Sequence, residues 1–461
     1  MTVAIAQLAG EMAAAELGDA RLSRRLGVIV GAIAQRPGKS LPKALVSGAA
    51  LEATYRFMSN DSVTPERILA PHIAATCDRV QEAGCVLAIH DTTECEFGGD
   101  EQRDGLGMLS SQRQGFHAHV CLAAKADDGD PLGILGVHTW VRMKAPPGRK
   151  KRATYDHKTR ARRESDRWSE VAERVEALTR GRARVIHVMD READFYRLEA
   201  LLVGAGAEFV IRGSHMERKL ADGRTLERAT SGLTARLTRE VPLSKRTPLR
   251  PTRTANPERG ARIAELLVGT TSVTIKRSWA TPEKNAPEFD LNVVHVWEEK
   301  APDGEPAVEW TLLTTLPATT VEEIEFIVDV YRRRWLIEEL FKALKSGCQF
   351  EKLQLESAAA LLNAFAIMLP IAVGLLSLRH IARVRPSAKA TDVLTPLQLR
   401  VLHAYKHTRE LPLKTAADAM LAVARLGGHI KNNGDPGWIV LGRGYEELLA
   451  LEEGAALAQQ M

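Results

Sequence analysis

The chain has 461 residues, of which 45% are apolar and 26% charged; this is the composition of a globular protein of two to four domains and excludes a disordered tail, collagen or a fibrous array. Its five cysteines (Cys77, Cys85, Cys95, Cys121 and Cys348) are scattered without a Cys-x-x-Cys pair, so neither a disulfide framework nor a zinc ribbon is expected and a reducing cytoplasm suits the chain. A net charge of +5, from 63 basic and 58 acidic residues, permits a polyanionic partner without requiring one.

Residues 1–16 are Ala-rich, carry Glu11 and Glu16 and lack a basic start, so no signal peptide is expected. Residues 1–70 read as short helices, with Asp19 as a cap before an Arg-rich stretch and a break at Pro37-Gly38. From about residue 84 strands are predicted over 85–90, ending at Asp91-Thr92-Thr93, then over 117–123 and 132–142. An amphipathic helix over 164–179, a strand over 185–189 ending at Asp190 and a strand over 208–212 follow. Three strands able to form a meander, then a helix and a further strand, predict an α/β chain with a mixed sheet and helices on its faces.

Between Asp190 and Tyr331 lies more chain than one connection needs, with β-like runs at 271–276, 291–297 and 310–313. An inserted antiparallel β-subdomain is expected there. From Val321 onward the pattern is helical, with a break at Arg385-Pro386. The apolar stretch 358–378 has the length of a membrane span, but Asn363, Pro370 and Ser377 interrupt it. It is read as a buried core or dimer helix of a soluble, cytoplasmic protein.

Three acids attract notice. Asp91 and Asp190 each stand where an apolar strand is predicted to stop, the rim position at which α/β sheets gather ligands; a strand-terminal Asp that merely caps the next turn is the alternative. Glu94, Glu96, Glu192 and Asp194 are nearby acids expected to be solvated. The third acid lies in the helical segment 331–345: at about 100° per residue, Tyr331, Arg334, Glu338 and Lys345 share one polar stripe, opposite a face of Leu336, Ile337, Leu340, Phe341 and Leu344. Glu339 falls off that stripe, so Glu338 is preferred; a solvated face with routine charge neighbours is the alternative. Three carboxylates of this kind suit a pair of Mg²⁺ ions, hard cations that take oxygen ligands and catalyse phosphoryl transfer.

Tyr331-x2-Arg334-x3-Glu338-x6-Lys345, with His90-Asp-Thr-Thr93 and Asp190-Arg-Glu-Ala-Asp194, resembles the insertion-sequence-4 group of bacterial DDE transposases, most closely its transposon-five-like cut-and-paste members. The likeness extends to Leu17-Gly-Asp-Ala-Arg21, Gly38-Lys-Ser40 and Tyr55-Arg-Phe57 in an end-DNA-binding domain, Glu164-Ser-x-x-Trp168 in the catalytic domain, and Ala424-Arg-Leu-Gly-Gly428 in a dimerisation region. It implies a ribonuclease-H-like fold with a β-insertion over about 215–310, in three parts: end-binding (1–70, with Arg56 among its DNA contacts), catalytic (71–370) and dimerisation (371–461). It further implies Asp91, Asp190 and Glu338 as catalytic metal ligands, with Mn²⁺ able to replace Mg²⁺. Tyr331, Arg334 and Lys345 would then hold phosphates.

Trp310 matches a family tryptophan that accepts a flipped base, although a packed strand aromatic is the alternative; Arg212 looks like a phosphate contact, or is a plain surface arginine. Residues 142–163, with ten Lys/Arg, are more basic than the resemblance leads one to expect and read either as an extra DNA-contacting loop or as a disordered insertion. The expected activity is metal-dependent cleavage at terminal inverted repeats by a synaptic homodimer, with strand transfer into double-stranded target DNA. Rival readings are a silent DNA-binding regulator derived from a transposase and a general metal-dependent nuclease.

Overall fold

A computed structural model describes residues 5, 8–45, 47–99, 101–142, 164–243, 259–277, 287–430 and 435–460. Of the basic segment, all but Arg142 lies outside the described residues up to 163. Contacts divide the described chain into two compact units: the first takes its residues from 1–154, 177–184 and 335–461, the second from 155–176 and 185–334.

The first unit opens with the helices α1 (Leu8–Met12), α2 (Ala20–Gln35), α3 (Leu41–Ala44), α4 (Gly48–Met58) and α5 (Pro65–Ala83), of which α2, α4 and α5 start on a capping side chain. Asp19 caps α2 by accepting from the Arg21 amide at 2.8 Å, satisfying one of the orphan amides of the first turn. Thr64 and Pro65 start α5 and Gly84, at φ 73°, ends it. The chain then enters β1 (Cys85–Phe97), β2 (Gly107–Met108), β3 (Gln114–Lys125) and β4 (Pro131–Trp140). Here β3 is central, antiparallel to β1 on one edge and to β2 and β4 on the other.

β1 is longer than predicted. It runs past His90, so Asp91 lies mid-strand rather than at a strand end, paired in register with Val120. The reason is alternation: after the apolar run, Thr93, Cys95 and Phe97 turn inward while their neighbours are half-buried. That period-2 pattern needs β3 alongside to become visible as strand.

The second unit holds α6 (Asp166–Thr179, to Glu176), β5 (Arg184–Met189, from Val185), α7 (Tyr196–Gly204), β6 (Glu208–Arg212) and α8 (Leu226–Thr230). After these come β7 (Leu237–Leu243), β8 (Arg262–Ile275), β9 (Phe289–Trp297), β10 (Glu309–Thr314) and α9 (Val321–Arg332). Its strands run in the order β5-β6-β10-β9-β8-β7; β5 and β6 are parallel, the others antiparallel. The expected insertion is therefore a set of hairpins that extends the sheet from β6 outward. Trp168, Leu198, Leu202, Phe209, Ile211, Val293 and Leu313 bury their side chains in one core between the sheet and α6 and α7.

The first unit resumes with α10 (Trp335–Lys342), then α11 (Ala358–Val384), α12 (Pro396–Ala404), α13 (Ala416–Leu426) and α14 (Trp438–Gln460). Among the described residues α11 alone is long and apolar enough to cross a membrane, and it is buried almost all round. Its Asn363 donates to the Met58 and Val63 carbonyls at 2.9 and 3.0 Å, so the polar break in the apolar run ties α11 to the N-terminal helices.

The segment 331–345 is not one helix. α9 ends at Arg332, Arg334 donates back to the Tyr331 carbonyl at 3.0 Å in a tight turn, α10 begins at Trp335, and Ala343–Gly347 is a π turn. The two halves bury against different partners: α9 packs on β6 and β9, α10 on β1 and α11. Each half takes its direction from the sheet or helix it covers, so Tyr331 and Arg334 belong to the second unit and Glu338 and Lys345 to the first.

Candidate functional site

In the second unit Asp190 follows β5 directly and caps the 3₁₀ turn Arg191–Ala193, its Oδ1 accepting from the Glu192 amide at 2.9 Å. The capping role and the rim position thus coexist. Asp190, Arg212 at the end of β6, Trp310 on β10, Tyr331 on the last turn of α9 and Arg334 line one cleft of 830 Å³. The Trp310 and Tyr331 rings meet edge to face, centroids 5.8 Å apart at 64°, a favoured aromatic geometry.

Burial raises the Tyr331 phenol above its ordinary pKa, against the pull of Arg334 and Arg212. Burial also lowers the Arg212 guanidinium from its ordinary value, and it donates to the Glu309 carbonyl at 3.2 Å. Arg212 and Arg334, with the phenol and the indole beside Asp190, can hold a phosphate and stack a base.

Support for this cleft comes from residues to which the sequence reading gave no role in the site. Asp194, expected to be solvated, is 1% exposed; it accepts from the His215 amide at 2.8 Å and pairs with Arg218, which also donates to Glu199 on α7 at 2.7 Å. The triad pins the loop after β6 to the turn after Asp190. Burial pushes Glu199 up to about 8, whereas Asp194, although burial raises it, is held below its ordinary value by Arg218 and the loop amides. The partners Glu199 and Arg218 carry no local signal in the sequence. Glu192 is exposed, as expected, and pairs with Arg167 at 2.5 Å.

In the first unit, Asp91 is half-buried on β1, accepting from the Thr92 amide at 2.7 Å, and Glu338 is half-buried on α10, which packs on β1. Glu339 is committed elsewhere: it accepts from Lys342 at 2.8 Å and Trp438 Nε1 at 3.1 Å and pairs with Arg379. Lys345, in the π turn, donates to the Glu94 carbonyl and pairs with Glu351 at 3.2 Å. Glu94 and Glu96, expected to be solvated, are also engaged: Glu94 accepts from Ser110 at 2.8 Å, and Glu96 pairs with Arg113 at 3.8 Å. The predicted apolar face is buried as expected, Ile337 and Leu340 of α10 and Leu344 of the π turn at 0% exposure. Arg56 stands apart, exposed on α4 and paired with Glu52 at 3.4 Å.

The donors suit a hard divalent cation: Asp91 and Glu338 are partly open carboxylates on elements packed together, and Mg²⁺ ordinarily takes one or two carboxylates, keeps waters and adds substrate phosphate. Among the described residues no three His, Cys, Asp or Glu side chains are gathered closely enough to form a metal cage without such a substrate.

Comparison with known families assigns both ends of this arrangement. Residues 6–63, which contain α1 to α4, match the transposase DNA-binding family, and residues 111–371 match the transposase DDE domain. The second match contains Asp190, Tyr331, Arg334, Glu338 and Lys345 and begins after Asp91. The mixed α/β core flanked by helical N- and C-terminal regions is accordingly ribonuclease-H-like. With more than half of its length in that match, the chain belongs to the transposase DDE family and is a DNA-binding transposase.

Proposed function

We propose that this transposase moves its element by cut and paste, as the insertion-sequence-4 signature Tyr331, Arg334, Glu338 and Lys345 suggests. Asp91, Asp190 and Glu338 are its catalytic acids and would hold a Mg²⁺ pair, with Mn²⁺ as substitute. When bound, such a pair stabilises the attacking and leaving oxygens of an in-line phosphoryl displacement. The steps are water attack at the inverted repeat, hairpin closure by the freed 3′-OH, reopening by water, and attack of the 3′-OH on target DNA. Arg334, Arg212 and Tyr331 grip the phosphates flanking the scissile bond, Lys345 grips another, and Trp310 stacks the extruded base, offsetting part of an unstacking cost of a few kcal/mol.

The α4 surface bearing Arg56 contacts the element end, and two copies pair the ends through residues 371–461, with 71–370 as the catalytic part. The observation that supports the reading best is the shared cleft of Asp190, Arg212, Trp310, Tyr331 and Arg334. Glu338, on the helix that packs on the strand of Asp91, is taken as the third acid.

The test is cleavage of DNA carrying the element's own ends, with Mg²⁺, by wild type, Glu338→Ala and Glu339→Ala, below the melting temperature of each. Wild type and Glu339→Ala should cut, and Glu338→Ala should bind but cut at least ~10²-fold more slowly. Binding without cutting by all three would make the protein a silent regulator. Cutting without joined products would make it a nuclease. A dead but folded Glu339→Ala beside an active Glu338→Ala would move the third acid.

A further inference from the structure

We infer that Glu351 is a positioning residue for DNA cleavage: it orients the Lys345 ammonium and ties the strand carrying Asp91 to the helical segment carrying Glu338. This rests on the roles proposed above for those three residues. Lys345 sits in the π turn that continues α10, a widened turn of a kind often found at functional sites. Its Nζ donates to the carbonyl of Glu94, three residues beyond Asp91 on β1, and lies 3.2 Å from Glu351. The same Glu351 carboxylate accepts from the Glu96 amide of β1 at 3.0 Å. One side chain therefore bridges the ammonium and the strand.

A lysine has three donors; with one donating to the Glu94 carbonyl and the ammonium drawn to the Glu351 carboxylate at 3.2 Å, the directions left for meeting a phosphate oxygen are restricted. Arg103 adds a second tie, donating to the Leu353 and Gly98 carbonyls at 3.0 Å each. Glu351 and Lys345 line a cleft of 390 Å³ with Arg113 and Lys352. An acid on the wall of a cleft that takes a polyanion repels it, so the contribution of Glu351 is orientation, not attraction. That sets binding and rate moving in opposite directions when the acid is removed.

The experiment uses the full chain and DNA bearing its own ends, measuring end affinity, the cleavage rate of the saturated Mg²⁺ complex, and melting temperature. Glu351→Ala should bind the ends as tightly as wild type or several-fold more tightly, yet cleave ~10–10²-fold more slowly, the usual penalty of slight misplacement. Glu351→Gln keeps both acceptor contacts and should recover most of the rate. The double variant Lys345→Ala/Glu351→Ala should cut no more slowly than Lys345→Ala, because the two act as one unit.

Wild-type cleavage by Glu351→Ala, or loss of end binding and cleavage together, overturns the inference. So does a Glu351→Gln as inactive as Glu338→Ala. If Glu351→Ala does not fold, Glu351→Asp, whose carboxylate is one methylene short of both contacts, takes its place and is read in the same way. Should wild type fail to cut, the proposed function falls and takes this inference with it; a cutting wild type, a dead Glu338→Ala and an unaffected Glu351→Ala sink this inference alone.

Discussion

Trp310 presents a half-buried indole to the cleft, one edge-to-face contact away from Tyr331. If it stacks an extruded base, its loss removes about 1–3 kcal/mol from the step that needs the base out. Trp310→Ala should then slow hairpin closure roughly 5- to 150-fold while first-strand nicking proceeds, read from hairpin and nicked species on a denaturing gel. Equal slowing of both steps would make it a packing residue.

The buried triad behind the cleft makes a different prediction at the same scale. Glu199 is pushed up to about 8 from an ordinary 4.5, so the folded chain keeps a proton that the unfolded chain releases, and stability falls as pH rises between those values. Asp194, held below its ordinary value, acts oppositely: its contribution is present above that value and is lost as pH falls through the lowered one. Urea midpoints should accordingly peak in mildly acid solution, and Glu199→Gln should flatten the decline on the alkaline side.

At the scale of elements, α13 and α14 cross on glycine. A Cβ on Gly444 would lie 1.7 Å from the Val423 carbonyl oxygen, and one on Gly427 would lie 1.9 Å from that of Val440. Gly444→Ala must part the helices and should cost about 1–3 kcal/mol or more. Gly454, exposed on the same helix with nothing within 4 Å, should instead gain up to about 1 kcal/mol on becoming alanine. Thermal unfolding of the two variants checks the pair.

Elements also differ in how readily they were read. The strand predicted over 208–212 is β6 residue for residue, because an apolar β-branched run between turn residues is a local signal. β7 went unread: its outward Thr238 and Glu240 and a Pro242 resemble a loop until β8 pairs with it. The break between α9 and α10 carries no Pro or Gly, so periodicity ran straight through it and merged two stripes into one.

For the whole molecule, a net charge of +5 says little, and the local cations say more. Six to ten phosphate contacts would lower end affinity ~10³–10⁵-fold between 50 and 200 mM salt. Measured slopes for wild type, Arg334→Ala and Arg212→Ala should differ by about one per lost phosphate contact; a flat slope in wild type would count against DNA as the ligand of this surface.

The amino-acid order by itself pointed to a DDE transposase and to most of the strands and helices, and proposed a short list of acids, since caps, periodicity and spaced motifs operate within about a dozen residues. The tertiary structure decided which partners several of the carboxylates take. Glu339 is taken by Arg379 and Trp438, Asp194 by Arg218, and Glu351 by Lys345 and β1, while Asp91 became a mid-strand residue. Those decisions belong to tertiary structure because the partners lie up to 255 residues apart in the chain, and an ion pair or strand pairing of that separation exists only once the intervening chain has folded and its closure entropy has been met by buried surface.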